Sequence, residues 1–493
     1  MADPIQVAKR QIARGRTPMP VRPRRSGWYS PVCRWFNYRS STARMLSRES
    51  LYVSKLEAPL LTHSARRRLV LVVRADPVIC GHAGEARNLA EAALTHGFDD
   101  VRIVSWPLDR LVESGLPLKP FDSISPYSEG ITVERPEPVG NYKVIDGRFL
   151  AGLTGRLFEL FTDGVPTVCM SLYLSPHAIA VDDARRAAQR SGLPVRVVTI
   201  AEAVGSDVTN VVRTCVETGR YGAAAHLLAT YLANDVCVAV SEYTRELIAT
   251  EAALLDAHIG TDFAEQCRRK VTISYPAVHA NAFTDIDPHA TDAVLADRGL
   301  ERGGYVLFLS RLSKAKGVDD LIDGFGKCAA SSRVRLVIAG NGPEAGQLRE
   351  LAAASPVADR IGFLDDVSDG EKAHLMAGSA AFVLPSKPLP EFVETFGIAL
   401  VEKMLAGGGP VITTTTGGIG EAVGDCALIV GVEDPAAIAV AIDHAVLEMT
   451  QDERQSLETR ARQYARRFDR TVVFERLIAR TQASESMGHP ASR

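Results

Sequence analysis

YVLFLSRLSKAKGVDDLIDGFGKCAASSRVRLVIAG, residues 305–340, reads as strand, loop, helix and strand. YVLFLS (305–310) and VRLVIAG (334–340) are short apolar runs in which polar and apolar positions do not alternate. Runs of that kind suit strands buried on both faces. A helical segment between two such strands is the repeating unit of a parallel sheet covered by helices. The scheme continues in IGFLDD (361–366), AAFVLPS (380–386), PVITTTT (410–416) and ALIVG (427–431). It also runs upstream through LVLVVRADP (69–77), VRIVSWPL (101–108), PTVCMSLYL (166–174), PVRVVTIAE (194–202) and DVCVAVS (235–241). Helices are expected near 84–97, ending at Gly97, and over AIAVDDARRAAQRSG (178–192). The expected class is α/β, with two Rossmann-like doubly wound domains facing each other across a cleft. Ligands in such sheets sit at the carboxyl ends of the strands.

The expected boundaries place a first Rossmann-like domain at 69–280, with an irregular insertion at about 109–150. A second occupies 281–470, and a helix and tail occupy 471–493. YPAVHANAFTDIDPHATD (275–292) breaks the alternation between the domains. Residues 1–68 carry 15 Lys and Arg against three acids, Asp3, Glu49 and Glu57, with prolines at 4, 18, 20, 23 and 31. Three readings stand for that extension, one of them an Arg-rich, acid-poor transit peptide. Another is a solvated tail packing locally through Trp28, Tyr29, Trp35 and Phe36; the third is contact with an anionic surface or a partner.

A chain of 493 residues has ample length for two cores. The net charge of −3 excludes a general electrostatic nucleic-acid binder. No apolar run is long enough to span a bilayer, and no secretory segment follows the start. The eight cysteines are scattered, without a C-x-x-C pair, and the histidines lack metal-ligand spacing. Reduced thiols in a cytoplasmic protein are the expectation.

The chemistry concentrates in the C-terminal half. Arg311 and Lys316 lie in the loop directly after a strand, five residues apart. Two cations there suit a diphosphate, Arg as a fork and Lys as a point charge. AGNGP (339–343) brings Gly340 to another strand end. In PLPEFVETFGIALVEKMLAGGGPVITTTTGGIGE (388–421), Glu394 and Glu402 stand eight apart. Eight helical residues rise about 12 Å, the span from a sugar across a diphosphate to a ribose. Between them, amides near Gly397, Ile398 and Ala399 open a helix and suit a phosphate.

These strings resemble glycosyltransferase family 4, whose signature is E-x7-E. The match rests on E-T-F-G-I-A-L-V-E, the following G-x-P-V strand and G-G-x-x-E turn, the upstream R-L-x-x-x-K-G and the strand-G-x-G-P element, all within 303–431. A weaker likeness extends to 69–284 through ANDVCVAVSEYTRELI. The resemblance implies a GT-B fold and a retaining glycosyltransferase, hexosyl- or N-acetylhexosaminyl-, using a nucleotide-sugar. UDP comes first as its base, ahead of GDP and ADP. It further implies that Arg311 and Lys316 neutralise the leaving diphosphate. Glu394 would orient the donor sugar and Glu402 would hold the ribose. Gly81, Gly340, Leu364, Phe396, Gly397, Ile398 and Ala399 would complete the donor site. Gly417, Gly418 and Glu421 would shape the cleft floor, the Ile361–Leu364 strand end would border the base, and a C-terminal helix would cross back to the first domain.

Two positions depart from the family. Its usual Gly-Gly pair is here Cys80-Gly81, followed by His82, Ala83 and Gly84. Its usual histidine is here Glu202, which would bind a sugar hydroxyl or amine, steer an acceptor base, or be a non-catalytic replacement. His177 is either a cleft residue or a surface residue at a helix start. Asp285-Ile286-Asp287 has the D-x-D form that holds metals in another fold, but an ordinary acidic loop is expected and no metal is required. Arginine outnumbers lysine 45 to 11, which suggests a high-GC bacterial source, and the extra segments suggest a specialised small-molecule acceptor in natural-product or antibiotic biosynthesis. The competing readings are a nucleotide-sugar epimerase on the same scaffold and an inactive sugar-nucleotide-binding partner subunit.

Overall fold

A computed structural model describes residues 66–74, 76, 81–113, 125–139, 145–390 and 392–488. The extension up to residue 65, Cys33 and Cys80 lie outside the described residues.

Seven parallel strands form the first sheet: β1 (Arg68–Val72), β2 (Asp100–Val104), β3 (Ile131–Glu134), β4 (Thr167–Leu172), β5 (Val197–Ala203), β6 (Val236–Ala239) and β7 (Val271–Ile273). Their order is β3-β2-β1-β4-β5-β6-β7. The second sheet holds β8 (Tyr305–Leu309), β9 (Arg335–Ala339), β10 (Ile361–Leu364), β11 (Ala381–Leu384), β12 (Val411–Thr413) and β13 (Leu428–Ile429). Its order is β10-β9-β8-β11-β12-β13. In both sheets the strand order reverses at one place, between β1 and β4 and between β8 and β11. Loops diverge there to opposite faces and leave a crevice for a ligand. Six helices matter below: α1 (Gly81–Leu94), α2 (Ile145–Thr162), α3 (Glu242–Ile259), α4 (Asp369–Gly378), α5 (Ile398–Ala406) and α6 (Arg470–Gly488).

The apolar runs became strands because their side chains are buried on both faces. Leu69, Val70, Leu71 and Val72 are all buried, as are Val306, Leu307 and Phe308. Each such side chain contributes about 1.5–3 kcal/mol when fully removed from water. Arg68 belongs to β1 and not to the basic extension: its buried guanidinium pairs with Asp100 at 2.7 Å and Asp163 at 2.8 Å.

Three expectations are corrected. The first strand stops at Val72, which leaves Arg74 beyond the strand's carboxyl end. The segment read as an irregular insertion contains β3, which pairs in parallel with β2, and the start of α2. Its four-residue strand is only half-buried, so it lacks the apolar run that marks its neighbours; Glu134 is held by Arg102 and by Arg156 at 2.6 Å. The short strand β7 was not anticipated.

The C-terminal helix α6 does cross back. Val473, Phe474, Leu477 and Ile478 share one buried cluster with Leu69, Leu71 and Leu89 of the first domain. Cys169, Cys215, Cys237, Cys267, Cys328 and Cys426 are free and buried. Among the described residues no helix is long and apolar enough to cross a membrane.

Candidate active site

The second domain's crevice is built from the loops after β8 and β11. The first carries Arg311 and Lys316; the second carries Lys387 and Glu394. Gly317 adopts φ 66°, and a Cβ there would lie 2.1 Å from the Pro385 carbonyl oxygen, so the Lys316 loop seats directly on the end of β11. Lys387, which the sequence reading did not single out, fastens the same junction. Its buried ammonium donates to Asp319 at 2.8 Å and Asp320 at 2.9 Å, and its amide donates to the Ala315 carbonyl.

This packing brings Lys316 and Glu394 into direct contact as an ion pair, both nearly buried. The lysine also lies over the Phe392 ring, 5.5 Å from its centroid. A ligand between them would exchange partners with both residues at once. Arg311 is exposed and has no ion pair among the described residues. Gly340 donates its amide to the Leu364 carbonyl at 2.9 Å, which joins the ends of β9 and β10.

Helix α5 begins at Ile398 with Gly397 as its cap, and no side chain satisfies the first amides. Such an end attracts an anion. Glu394 therefore lies in the preceding loop, so the eight-residue spacing to Glu402 is only partly helical. The helix is anchored by Lys403, fully buried, which donates to the Met376 carbonyl, Ser379 Oγ and the Gly407 carbonyl at 2.6–2.8 Å. Glu402 is buried and forms an ion pair with Lys372 of α4, another cation the sequence reading missed. Phe396 is only 2% exposed. It packs on Tyr275 and Phe468, with centroids at 5.5 and 5.0 Å, so its ring belongs to the core.

The first domain closes over this site. A Cβ on Gly81 would lie 3.2 Å from Ile398, and one on Gly205 would lie 2.2 Å from Thr395. Gly418 is set against Thr395 and Ser241. Glu421 does more than shape a floor: its carboxylate accepts from the Glu242 and Tyr243 amides at 2.8 and 3.1 Å and so caps α3 across the domain boundary.

Glu202 lies deeper than its place at the end of β5 suggests. It is fully buried. Strand alternation turns it, like Ile200, to the face covered by α1, where it meets Glu85. Neither of its oxygens has a hydrogen-bond partner among the described residues. Burial, with Glu85 and Asp207 nearby, pushes its carboxyl well above the ordinary range. Burial likewise raises Glu85 to about 8. Both carboxyls ionise near pH 4.5 in the unfolded chain, so the pair's favourable contribution is complete below that pH. It is lost as pH rises towards 8. Glu85→Gln should therefore melt higher than the parent at pH 8, by on the order of 5 °C, with the gap closing towards pH 5. Parallel melting curves across that range would mean that the Glu85 carboxyl is already ionised in the fold.

His177 is also misplaced as a surface residue: it is buried, and both ring nitrogens lack partners among the described residues. Asp287 caps the helix Pro288–Asp297 by accepting from the His289 amide at 3.0 Å, and Asp285 accepts from Thr284 Oγ1. The D-x-D string is thus a helix start. Among the described residues no group of His, Cys, Asp and Glu is arranged to hold a metal ion.

Residues 297–467 match the family described as Glycosyl transferases group 1. The group 1 segment contains Arg311, Lys316, Glu394 and Glu402. The chain is 30% identical over 186 residues to mannosylfructose-phosphate synthase of Agrobacterium fabrum, a match covering 36% of this chain and 39% of that protein. It is 30% identical over 161 residues to N-acetyl-alpha-D-glucosaminyl L-malate synthase of Bacillus anthracis, covering 32% and 39%. The chain thus spans about two fifths of the length of each of these relatives. Over the whole two-domain body, the crystal structure of Anabaena HepE in complex with UDP and glucose superposes with a TM-score of 0.61 at 17% identity, covering 85% of this chain and all of that one. That likeness establishes the GT-B fold beyond the group 1 segment.

Proposed function

We propose that this chain is a retaining glycosyltransferase that moves a sugar from a nucleotide-diphosphate sugar to a small-molecule acceptor. The observation that carries the reading is the Lys316–Glu394 pair at the crevice between β8 and β11, beside the uncapped start of α5. Lys316, with Arg311, neutralises the leaving diphosphate, and the Ile398 and Ala399 amides assist. Glu394, released from the lysine, accepts from the donor sugar's hydroxyls, and Glu402 accepts from the ribose. The leaving phosphate takes the acceptor's proton as the new bond forms on the same face. The chain's task is then positioning, which is worth about 7–11 kcal/mol when reactants are well oriented. No metal has a role in this scheme. UDP is the first donor base, a choice supported by the UDP held in the HepE structure. A cytoplasmic bacterial setting, a natural-product acceptor and peripheral contact through residues 1–68 belong to the same reading.

A thermal-shift panel of nucleotide sugars tests it, since a ligand of the folded state raises the melting temperature by mass action. Stabilisation by a UDP-sugar is expected, followed by a product whose anomeric proton keeps the donor configuration by NMR. No response to any nucleotide sugar would overturn the activity; an inverted product would overturn the mechanism. Glu402→Gln should weaken UDP binding about tenfold with the helix intact, as for loss of one charged hydrogen-bond acceptor. Unchanged affinity by calorimetry would confine Glu402 to its pair with Lys372.

A further inference from the structure

The first domain has its own point of strand-order reversal, between β1 and β4, where ligands gather in sheets of this kind. Arg74 follows β1, and Tyr173 and His177 follow β4, its neighbour in register (Val72 with Ser171). His82, at the start of α1, closes the group: the His82 and Tyr173 rings lie 5.9 Å apart, and Tyr173 and His177 lie 6.3 Å apart. Tyr173 is held at φ 137°, a conformation that a non-glycine residue keeps only where its surroundings impose it. Its hydroxyl accepts from Ser206 Oγ at 3.3 Å.

The polar inventory of this group does not close. Arg74 is partly buried and leans over Trp106, with no carboxylate partner among the described residues. His177 is 2% exposed with two unsatisfied ring nitrogens. Unpaired buried polar atoms are costly and rare, and they gather where a ligand completes them. Burial, with the Arg74 charge adding to it, holds His82 down at about 4 and His177 at about 3, so at neutral pH each imidazole is uncharged and keeps one N–H to donate. One guanidinium fork and two neutral N–H donors, with no carboxylate paired to Arg74 or hydrogen-bonded to His177 among the described residues, match the lone pairs of an oxyanion.

We infer that the acceptor carries an oxyanion, a phosphate or a carboxylate, held by Arg74 with His177 and His82. This rests on the reading of the cleft as a glycosyl-transfer site, in which the first domain receives the acceptor. The donor would lie against Lys316 and Glu394, and the oxyanion would set which end of the acceptor faces it.

Calorimetry on the full chain tests this. The R311A/K316A double variant removes the second domain's cations, so the remaining oxyanion binding reports on the first domain. Inorganic phosphate and malonate are titrated into that variant and into the same variant carrying R74M. One of the two ligands should bind, at least about tenfold more weakly with R74M, as for loss of a charge-assisted contact. Preference for phosphate assigns a phosphorylated acceptor; preference for malonate assigns a carboxylate. Binding of neither, or equal binding with and without Arg74, overturns the inference. If R74M does not fold, H82N at the partly exposed helix start carries the same readout. UDP titrated into the unaltered chain separates the two claims: failure there counts against the transferase reading, whatever the oxyanion result.

Discussion

Lys316→Ala should lower turnover by on the order of 100-fold while leaving the fold intact. The size follows from removal of one preorganised charge aimed at a developing anion. The fold should survive because the loop does not depend on the lysine side chain. It is seated by Gly317 against Pro385 and by Lys387 against Asp319 and Asp320. The substitution has a second effect, which distinguishes this site from a simple basic loop. Glu394 loses its partner and is left nearly buried and unpaired. Removing one member of a buried pair costs more than the pair contributes. Lys316→Ala should therefore melt lower than the parent, whereas Lys316→Ala/Glu394→Gln should recover most of that loss without recovering activity. Near-parental turnover in the single variant would remove Lys316 from the mechanism. Parental stability in the single variant would show that the pair is not kept in solution.

Gly417→Ala should lower turnover by about 10- to 100-fold, although no substrate atom need touch residue 417. Gly417 sits at φ 60°, and a Cβ there would lie 2.0 Å from the Glu394 carbonyl oxygen and 2.8 Å from Val393. The left-handed backbone alone costs a non-glycine residue about 1–3 kcal/mol, and the overlap must be relieved by moving the Glu394 peptide. That peptide accepts a 2.9 Å hydrogen bond from the Gly418 amide, so the displacement passes directly to the carboxylate that faces Lys316. Misplacement of a positioning group by an ångström costs up to about two orders of magnitude in rate. UDP affinity should change far less, because Glu402 and the start of α5 lie on the other side of Gly397. Loss of turnover with retained UDP binding is the expected pair of results. Parental turnover would show that the loop absorbs the methyl group elsewhere.

Much of the fold was readable from burial alone. Strands buried on both faces leave continuous apolar runs, and YVLFLS, VRLVIAG and AAFVLPS became β8, β9 and β11. β3 escaped because an edge strand needs no such run; it is held by arginine–glutamate pairs whose partners are far apart in sequence. The pairing of Lys316 with Glu394 and of Lys372 with Glu402 was illegible for the same reason, since each joins two loops or helices that only tertiary packing brings together. The burial of Glu202 is a matter of parity. Its position near the end of β5 suggested the cleft, but the alternation of the strand turns its side chain under α1 and leaves Gly205 to meet Thr395. His177 could have been read as buried from its place between Leu174 and Ala178, both in the core.

The crossing of α6 sets the order in which the protein can be finished during synthesis. Val473, Phe474, Leu477 and Ile478 pack with Leu69, Leu71 and Phe98, residues made some four hundred positions earlier. As the chain leaves the ribosome, the amino-terminal domain therefore waits with an open apolar flank until α6 emerges. The carboxyl-terminal domain, whose strands run from Tyr305 to Ile429, holds its own core and has no such debt. A nascent chain stopped before residue 470 should carry one finished domain and one that recruits chaperones, and the two become a single cooperative body only once α6 is in place.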